Sequence, residues 1–310
     1  MNRKIRGIIM FPRGEKDLYE SDYSVRRLLD AGRKRGISID IVKPEQFEMV
    51  ISSGGSKSIL VDDKEEDVPD FVIPRTGSDT TYYALSVIRQ LQYLGAYVCN
   101  NADSIFSVKD KLYMHQLLAH SKLSSPKTLL AKFPIAKEVV SREIGFPLVI
   151  KNVTGTQGAG IFLCEDKNKF LDIMELIYTN NRNANIILQK FIENSYGQDL
   201  RVFIVGGKVV GCMKRSSLNS FKANFSKGAK VESFELTPEI EWLSTEAAKL
   251  FNLDVAGIDL LFDKEELKIC EANSAPGFLG MEKVTGPVIA ESIIDYILVR
   301  IGMNSEVSHV

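Results

Sequence analysis

Ala256-Gly257-Ile258-Asp259-Leu260-Leu261-Phe262, followed shortly by Cys270-Glu271-Ala272-Asn273-Ser274-Ala275-Pro276-Gly277, sets acidic and amide oxygens into two adjacent strands of an apolar hairpin. Side chains alternate along a strand, so Glu271 and Asn273 share a face and Asp259 on the partner strand can meet them across the ladder. Three hard oxygen donors converging on one spot suit Mg2+, which keeps waters and takes one or two carboxylates together with nucleotide phosphates. The stretch therefore predicts a nucleoside-triphosphate site. A polar hairpin edge whose carboxylates face water is the alternative that these residues leave open.

Working outward, the 310 residues are 45% hydrophobic and 25% charged, enough for two or three domains with real cores. Lys+Arg 39 against Asp+Glu 40 gives a formal net charge of -1, so no global field attracts nucleic acid or anionic lipid. Cys99, Cys164, Cys212 and Cys270 lie far apart, with neither a C-x-x-C pair nor a disulfide-framework spacing, and read as reduced thiols of a cytoplasmic protein. The apolar run after the basic Met1 to Arg6 is only Gly7 to Phe11 before Pro12-Arg13-Gly14. That fits a first strand, not a signal peptide. No segment approaches the roughly 20 apolar residues of a membrane helix, and the sequons at Asn152 and Asn224 read as chance matches.

The first hundred residues alternate strand and helix. Ile5 to Met10 reads as a strand, Ser24 to Arg35 as a helix and Ile37 to Val42 as a strand, with a further strand at Phe71-Val72-Ile73 and a helix from Thr80 to Leu94 stopped by Gly95. That order implies parallel strands with crossover helices. Ser52 to Ser58 reads as a loop without the order of a phosphate loop. From about residue 103 a compact α+β module follows, with a helix at Ser107 to Leu118, strands at Lys127 to Leu130, Phe146 to Lys151 and Ile161 to Cys164, and a helix ending at Ile144-Gly145. Then come a helix from Asp166 to Tyr178, a strand from Ile186 to Ile192, a hairpin around Gly206-Gly207, a helix near Pro238 to Phe251, and a last helix begun by Pro287 and running to about Arg300. Met303 to Val310 reads as a frayed tail.

Lys151 ends a buried strand and precedes a loop with Gly155, Gly158 and Gly160. Glycine lets backbone N–H groups approach phosphate oxygens and the lysine adds a point charge; a glycine-rich turn beside a solvated lysine is the plainer reading. Lys111 at a helix start is by default a surface lysine. Gln189-Lys190-Phe191-Ile192 leads into a loop and can offer adenine a backbone donor and acceptor, with Asp199 accepting from a ribose hydroxyl, or be a plain strand-to-loop transition. The basic patch of Lys214, Arg215, Lys222, Lys227 and Lys230 carries Phe221 and Phe225, which would suit nucleic acid; the balanced total charge favours small anions instead. His115, His120 and His309 form no ligand spacing, and no Ser-His-Asp or Cys-His arrangement is legible.

In order along the chain, Val72-Ile73-Pro74-Arg75-Thr76-Gly77, Lys109-Asp110-Lys111, Lys151 with Gly155-Thr156-Gln157-Gly158-Ala159-Gly160, Phe221-Lys222-Ala223-Asn224, Asp254 to Asp259 and Glu271 to Gly277 resemble the ATP-grasp superfamily, most closely its RimK-type glutamate ligases. The resemblance runs from about residue 5 to residue 300. It implies α/β and α+β architecture: a pre-ATP-grasp domain with a parallel sheet at 1–102, a small central ATP-grasp domain with a glycine lid at 103–184, and a C-terminal ATP-grasp domain with a magnesium site at 185–310. It also implies that Lys111 and Lys151 contact ATP phosphates, that Gly155, Thr156, Gln157, Gly158 and Gly160 belong to the lid, and that Gln189, Lys190, Phe191 and Ile192 form the adenine hinge. By the same resemblance Asp199 meets ribose, Lys222, Ala223 and Asn224 lie beside the triphosphate, and Asp259, Glu271 and Asn273 hold two Mg2+ ions, with Mn2+ as a substitute.

The chain departs from the family pattern where Gln189-Lys190 replaces the usual Gln-Glu, where Lys222 replaces an arginine and loses its bidentate geometry, and in a basic loop shorter by about one residue. These bear on substrate identity more than on ATP chemistry. The reaction implied is ATP-driven amide formation through an acyl phosphate, with Arg201 and Arg215 stabilising the tetrahedral oxyanion, Arg75 and Asn273 among the substrate contacts, and lid closure excluding water. Glutamate is the expected amine and a protein, peptide or cofactor carboxylate the acceptor, in a homo-oligomer with no nucleic-acid or membrane partner. A ligase for another amino acid or peptide, or an ATP-binding regulatory protein without catalysis, are the other readings.

Overall fold

A computed structural model describes residues 4–51, 59–77, 80–153, 160–225 and 228–302. The expected loop at 52–58, the tail from 303, and Gly155, Thr156, Gln157 and Gly158 of the expected lid lie outside the described residues.

The N-terminal region runs β1 (Arg6–Met10), α1 (Tyr23–Lys34), β2 (Ser38–Val42), a small antiparallel sheet of β3 (Phe47–Met49), β4 (Ile59–Val61) and β5 (Lys64–Glu65), then β6 (Phe71–Pro74), α2 (Tyr82–Tyr93) and β7 (Tyr97–Val98). The main strands form the expected parallel sheet, in the order β2-β1-β6-β7. Thr81, whose hydroxyl accepts from Ala84 N, starts α2, and Gly95 at φ +99 follows its end.

The middle of the chain comprises α3 (Ala102–Lys109), α4 (Lys111–His120), β8 (Thr128–Leu130), α5 (Lys137–Glu143), β9 (Leu148–Asn152), β10 (Ile161–Cys164), α6 (Lys167–Asn180) and β11 (Ile186–Lys190). The single helix expected over Ser107 to Leu118 is divided here. Asp110 is extended at ψ 105 and its carboxylate accepts from Tyr113 N, so the chain stops and restarts with Lys111 in the first turn of α4. The antiparallel sheet has the order β10-β9-β11-β8, so β11 completes this sheet even though it lies beyond residue 184.

The last part runs β12 (Gln198–Val205), β13 (Lys208–Ser216), β14 (Lys230–Ser233), α7 (Pro238–Leu250), β15 (Val255–Asp263), β16 (Glu266–Asn273), α8 (Leu279–Thr285) and α9 (Ile289–Arg300). An antiparallel sheet, β14-β13-β12-β15-β16, carries it. Gly206 and Gly207, at φ +58 and +76, make the left-handed turn of the expected β12–β13 hairpin. Pro287 stands before α9 rather than inside it, where its carbonyl accepts from Arg27 Nη2 at 2.9 Å.

Alternation along β12 and β15 sorts their side chains. Leu200, Val202, Ile204, Ile258 and Leu260 face a core closed by Ile240, Leu243 and Ala247 of α7 and by Met114 and Leu118 of α4. Phe203 and Val205 face the opposite core, shared with Leu28 of α1, Ile9 and Ile73 of the parallel sheet, and Ile293 and Ile297 of α9. Each fully buried side chain of this size contributes about 1.5–3 kcal/mol. Arg27 bridges the same junction, bonded to Glu282 at 2.9 Å and Glu291 at 2.7 Å. The remaining members of the second face, Asp199 and Arg201, open onto a cavity.

Candidate active site

That cavity, about 750 Å3, lies where the three larger sheets meet. Arg75, Lys111, Lys151, Gln189, Lys190, Phe191, Ile192, Asp199, Arg201, Arg215, Lys222, Ala223, Asn224, Asp259, Glu271 and Asn273 all line it. Among the described residues expected at the site, Gly160 alone stands outside the lining. A second cavity of about 680 Å3, between Ile5, Tyr97 and Arg300, contains none of them.

The β15–β16 hairpin is built with one irregularity. Asp259 pairs with Glu271, but Leu260 pairs with Ile269, which leaves Cys270 as the extra residue of a bulge. Leu267, Ile269 and Ala272 pack into the α7 core, while Cys270, Glu271 and Asn273 all line the cavity. Glu271 and Asn273 thus share a face as alternation predicts. Cys270 joins them only because of the bulge.

Ion pairs tie the floor together. Asp199 and Arg201 sit two apart on β12, and their cross-strand partners are Arg215 on β13 and Asp259 on β15. Arg201 grips Asp259 bidentately at 2.5 and 2.6 Å, Arg215 grips Asp199 at 2.6 and 2.7 Å, and Arg215 Nη2 also reaches Asp259 Oδ2 at 3.0 Å. Arg215 and Asp259 are 4% and 5% exposed, so their charges persist only because they face one another. Burial pushes the Asp259 carboxyl up, but Arg201 and Arg215 together hold it below its ordinary value. Burial raises Asp199 against the pull of Arg215; the bidentate geometry, in which both oxygens accept, is that of the ionised form.

Lys151 is held from behind. Its Nζ donates to Gln189 Oε1 at 2.6 Å and lies 3.7 Å from Cys270 Sγ. Gln189 Nε2 in turn lies 2.9 Å from both His115 Nε2 and Thr128 Oγ1. Burial, then the nearby charges of Lys151 and Lys111, depress His115 to about 3. The imidazole is therefore neutral, Nε2 accepts from the amide, and the proton sits on Nδ1, which has no partner among the described residues. In the 190–192 segment Lys190 N is committed to Lys127 O at 2.9 Å and Phe191 N to Pro147 O at 3.4 Å, which leaves Ile192 N as the backbone donor without a partner among the described residues.

A divalent cation fits the donor set. Glu271 has neither hydrogen bond nor ion pair among the described residues, Asn273 donates its Nδ2 to Gly257 O at 3.2 Å and so keeps its carbonyl oxygen, and Asp259 Oδ1 accepts a single bond. A mixed set of two carboxylates and one amide suits Mg2+ accompanied by phosphate and water. Among the described residues no group of three His, Cys, Asp or Glu side chains forms an all-protein metal cage.

Several residues here are silent in the sequence. Asn100, 1% exposed, donates Nδ2 to Val255 O at 2.7 Å and Ser274 O at 2.6 Å and accepts from Val255 N at 2.9 Å, tying the parallel sheet to both arms of the hairpin region. His115 and Asn100 act through contacts that join distant segments, to Gln189 and to Val255 and Ser274. Cys270 had a legible signal, since the apolar positions 267, 269 and 272 slip phase across it.

The RimK-like ATP-grasp domain matches residues 108–297 and the RimK PreATP-grasp domain matches residues 18–105. The chain is 38% identical over 277 residues to a probable alpha-L-glutamate ligase of Methanococcoides burtonii, covering 89% of this chain and 91% of that one. It is 36% identical over 277 residues to a probable alpha-L-glutamate ligase 1 of Shewanella amazonensis, with the same 89% and 91% coverage. In fold it resembles the ATP-grasp ligase PsnB complexed with minimal precursor, at TM-score 0.73 and 20% identity over 96% of this chain and 99% of that one. It also resembles D-alanine--D-alanine ligase from Bacillus anthracis complexed with ATP, at TM-score 0.68 and 18% identity over 96% and 97%. The chain belongs to the RimK-like ATP-grasp family and is a ligase of that class. No helix among its described residues is long and apolar enough to cross a membrane.

Proposed function

We propose that the protein is an ADP-forming acid–amino-acid ligase that uses ATP and Mg2+ to add L-glutamate to the C-terminal carboxylate of a protein, peptide or cofactor. The observation that carries this reading is the meeting in one cavity of the cations Lys111, Lys151 and Lys222 with the uncommitted carboxylate of Glu271. The names of the relatives support glutamate as the amine.

ATP with Mg2+ supplies the γ-phosphoryl group that turns a carboxylate into an acyl phosphate, from which an amine then displaces phosphate. In our assignment Asp259, Glu271 and Asn273 hold two ions, and Mn2+ can replace Mg2+. Lys111 and Lys151 bind phosphate oxygens, Lys222 and Asn224 flank the triphosphate, Phe191 and the free N–H of Ile192 receive adenine, and Asp199 uses its remaining lone pairs for ribose. Lys151 stays aimed because Gln189 fixes its Nζ. Arg201 and Arg215 neutralise oxyanion charge in the second step, with their forks already oriented by Asp259 and Asp199. Arg75 receives a substrate carboxylate: its Nη2 donates to Pro276 O at 2.8 Å, no carboxylate pairs with it among the described residues, and burial lowers its pKa to about 10. For the domains we propose three units, with the first boundary near residue 102 and the second moved from 184 to near 190, a reading that the pairing of β11 with β8 and β9 supports.

Mass spectrometry of acceptor peptides incubated with ATP, Mg2+ and L-glutamate should show added glutamyl residues. Glu271→Ala should abolish the addition while melting as the parent does, because Glu271 has no hydrogen bond or ion pair to lose among the described residues. A Glu271→Ala protein that still adds glutamate would refute the assignment.

A further inference from the structure

The carboxyl end of the parallel sheet holds a basic crevice that the nucleotide assignment does not use. β1 has β2 on one side and β6 on the other, so the chain reverses its direction of travel between β1 and β6. In open sheets of this kind ligands bind outside the carboxyl ends of the strands at that reversal. Met10 pairs with Pro74 in register, and Arg75 N donates to Met10 O at 2.9 Å. Phe11 and Arg75 therefore emerge side by side, and Arg13 follows two residues later on the wall of the main cavity.

Arg13 is held in place before any ligand arrives. Its guanidinium lies 5.1 Å from the Phe11 ring centre and 4.9 Å from that of Tyr19, and Asp22 receives its Nε at 3.0 Å and Nη2 at 2.5 Å. Asp22, 7% exposed, also accepts from Tyr19 N at 2.9 Å. Two rings and a carboxylate thus lock the fork, while Nη1 has no partner among the described residues. Arg26 acts on Asp22 as well, so two arginines, Arg13 and Arg26, share that carboxylate. Arg75, against the Phe278 ring at 5.9 Å, has no counterion among the described residues. Fixed cations with donors to spare suit a ligand with two anionic ends, because neither arginine must reorganise to bind it.

We propose that this crevice seats the amino-acid substrate, with one carboxylate on Arg75 and the other on Arg13, so that the protein selects a dicarboxylic amine. The inference rests on the ligase reading above and makes Arg13 its specificity-determining residue.

Calorimetric titration of L-glutamate and L-glutamine into the full chain, saturated with ADP and Mg2+, tests it. The parent should bind glutamate more tightly than glutamine. Arg13→Met should weaken glutamate about 10- to 100-fold, the worth of a charge-assisted hydrogen bond, and leave glutamine unchanged. Arg13→Lys, which keeps charge but not the fork, should fall between them. ADP affinity should be the same in all three and reports on folding. Parent protein that binds glutamate no better than glutamine, or Arg13→Met that keeps parental glutamate affinity, overturns the proposal. Failure of the parent to bind ADP would instead overturn the nucleotide-site reading.

Discussion

Acidifying the protein from about pH 7.5 to about pH 5 should remove about 2 kcal/mol of stability through His115 alone, because its imidazole titrates near 6.5 when unfolded and at about 3 when folded. The sign follows from proton counting. Between those two values the unfolded chain holds the extra proton and the folded chain does not, so stability is complete above about 6.5 and falls as pH drops towards 3. At pH 5 the gap to the unfolded value is about 1.5 units, at 1.36 kcal/mol per unit. Replacing His115 by Gln keeps a carbonyl that can accept from Gln189 Nε2 and removes the titration. Urea unfolding of both proteins at the two pH values isolates the term, since every other group titrates in both. The parent should lose about 2 kcal/mol more than His115→Gln, roughly 0.7 M in urea midpoint for an m-value near 3 kcal/mol/M. In the folded protein the imidazole stays neutral until pH approaches 3, so Gln189 keeps its acceptor across this range and ATP turnover by the folded enzyme should not fall through His115. Equal midpoint shifts in parent and variant would show that His115 titrates alike in the folded and unfolded chain, as a solvated imidazole does, and the account of how Lys151 is held would fail.

Other consequences are more local. Asn100→Ala leaves Val255 N, Val255 O and Ser274 O with one partner fewer each in a buried setting, and should cost about 2–4 kcal/mol, read as a lower melting temperature. Gly257→Ala places a Cβ 2.7 Å from Pro276 Cβ and 3.4 Å from Arg201 Cδ. It should push the Pro276 loop and the Arg201–Asp259 pair apart, lowering kcat by about tenfold or more with a smaller loss of melting temperature, as phosphate release would show.

How much of this was legible depends on how far apart the contacting residues are in the chain. The strands and helices of the parallel sheet follow from short-range periodicity, and α2, α5, α6 and α7 lie within a few residues of where caps and apolar stripes put them. The break at Asp110 is not legible in the sequence because helical stripes continue across it, and its capping bond to Tyr113 decides the matter. The four-residue β14 carries too few residues for a periodic signal. Of the site, alternation placed Glu271 and Asn273 on one face, whereas the bulge that brings Cys270 to the same face arises from how β16 fits β15.

The amino-acid pattern by itself determined the elements, the two-sided alternation of the hairpin, and the charge inventory of the cavity, because each is a property of neighbours along the chain. Only tertiary structure decided which charges cancel. Arg201 meets Asp259 across 58 positions, Lys151 meets Gln189 across 38, and Asn100 reaches Val255 across 155. Those pairings are set by strand register and sheet order, long-range quantities with no local trace, and they leave Glu271 uncommitted among the described residues while its neighbour Asp259 is held by two arginines.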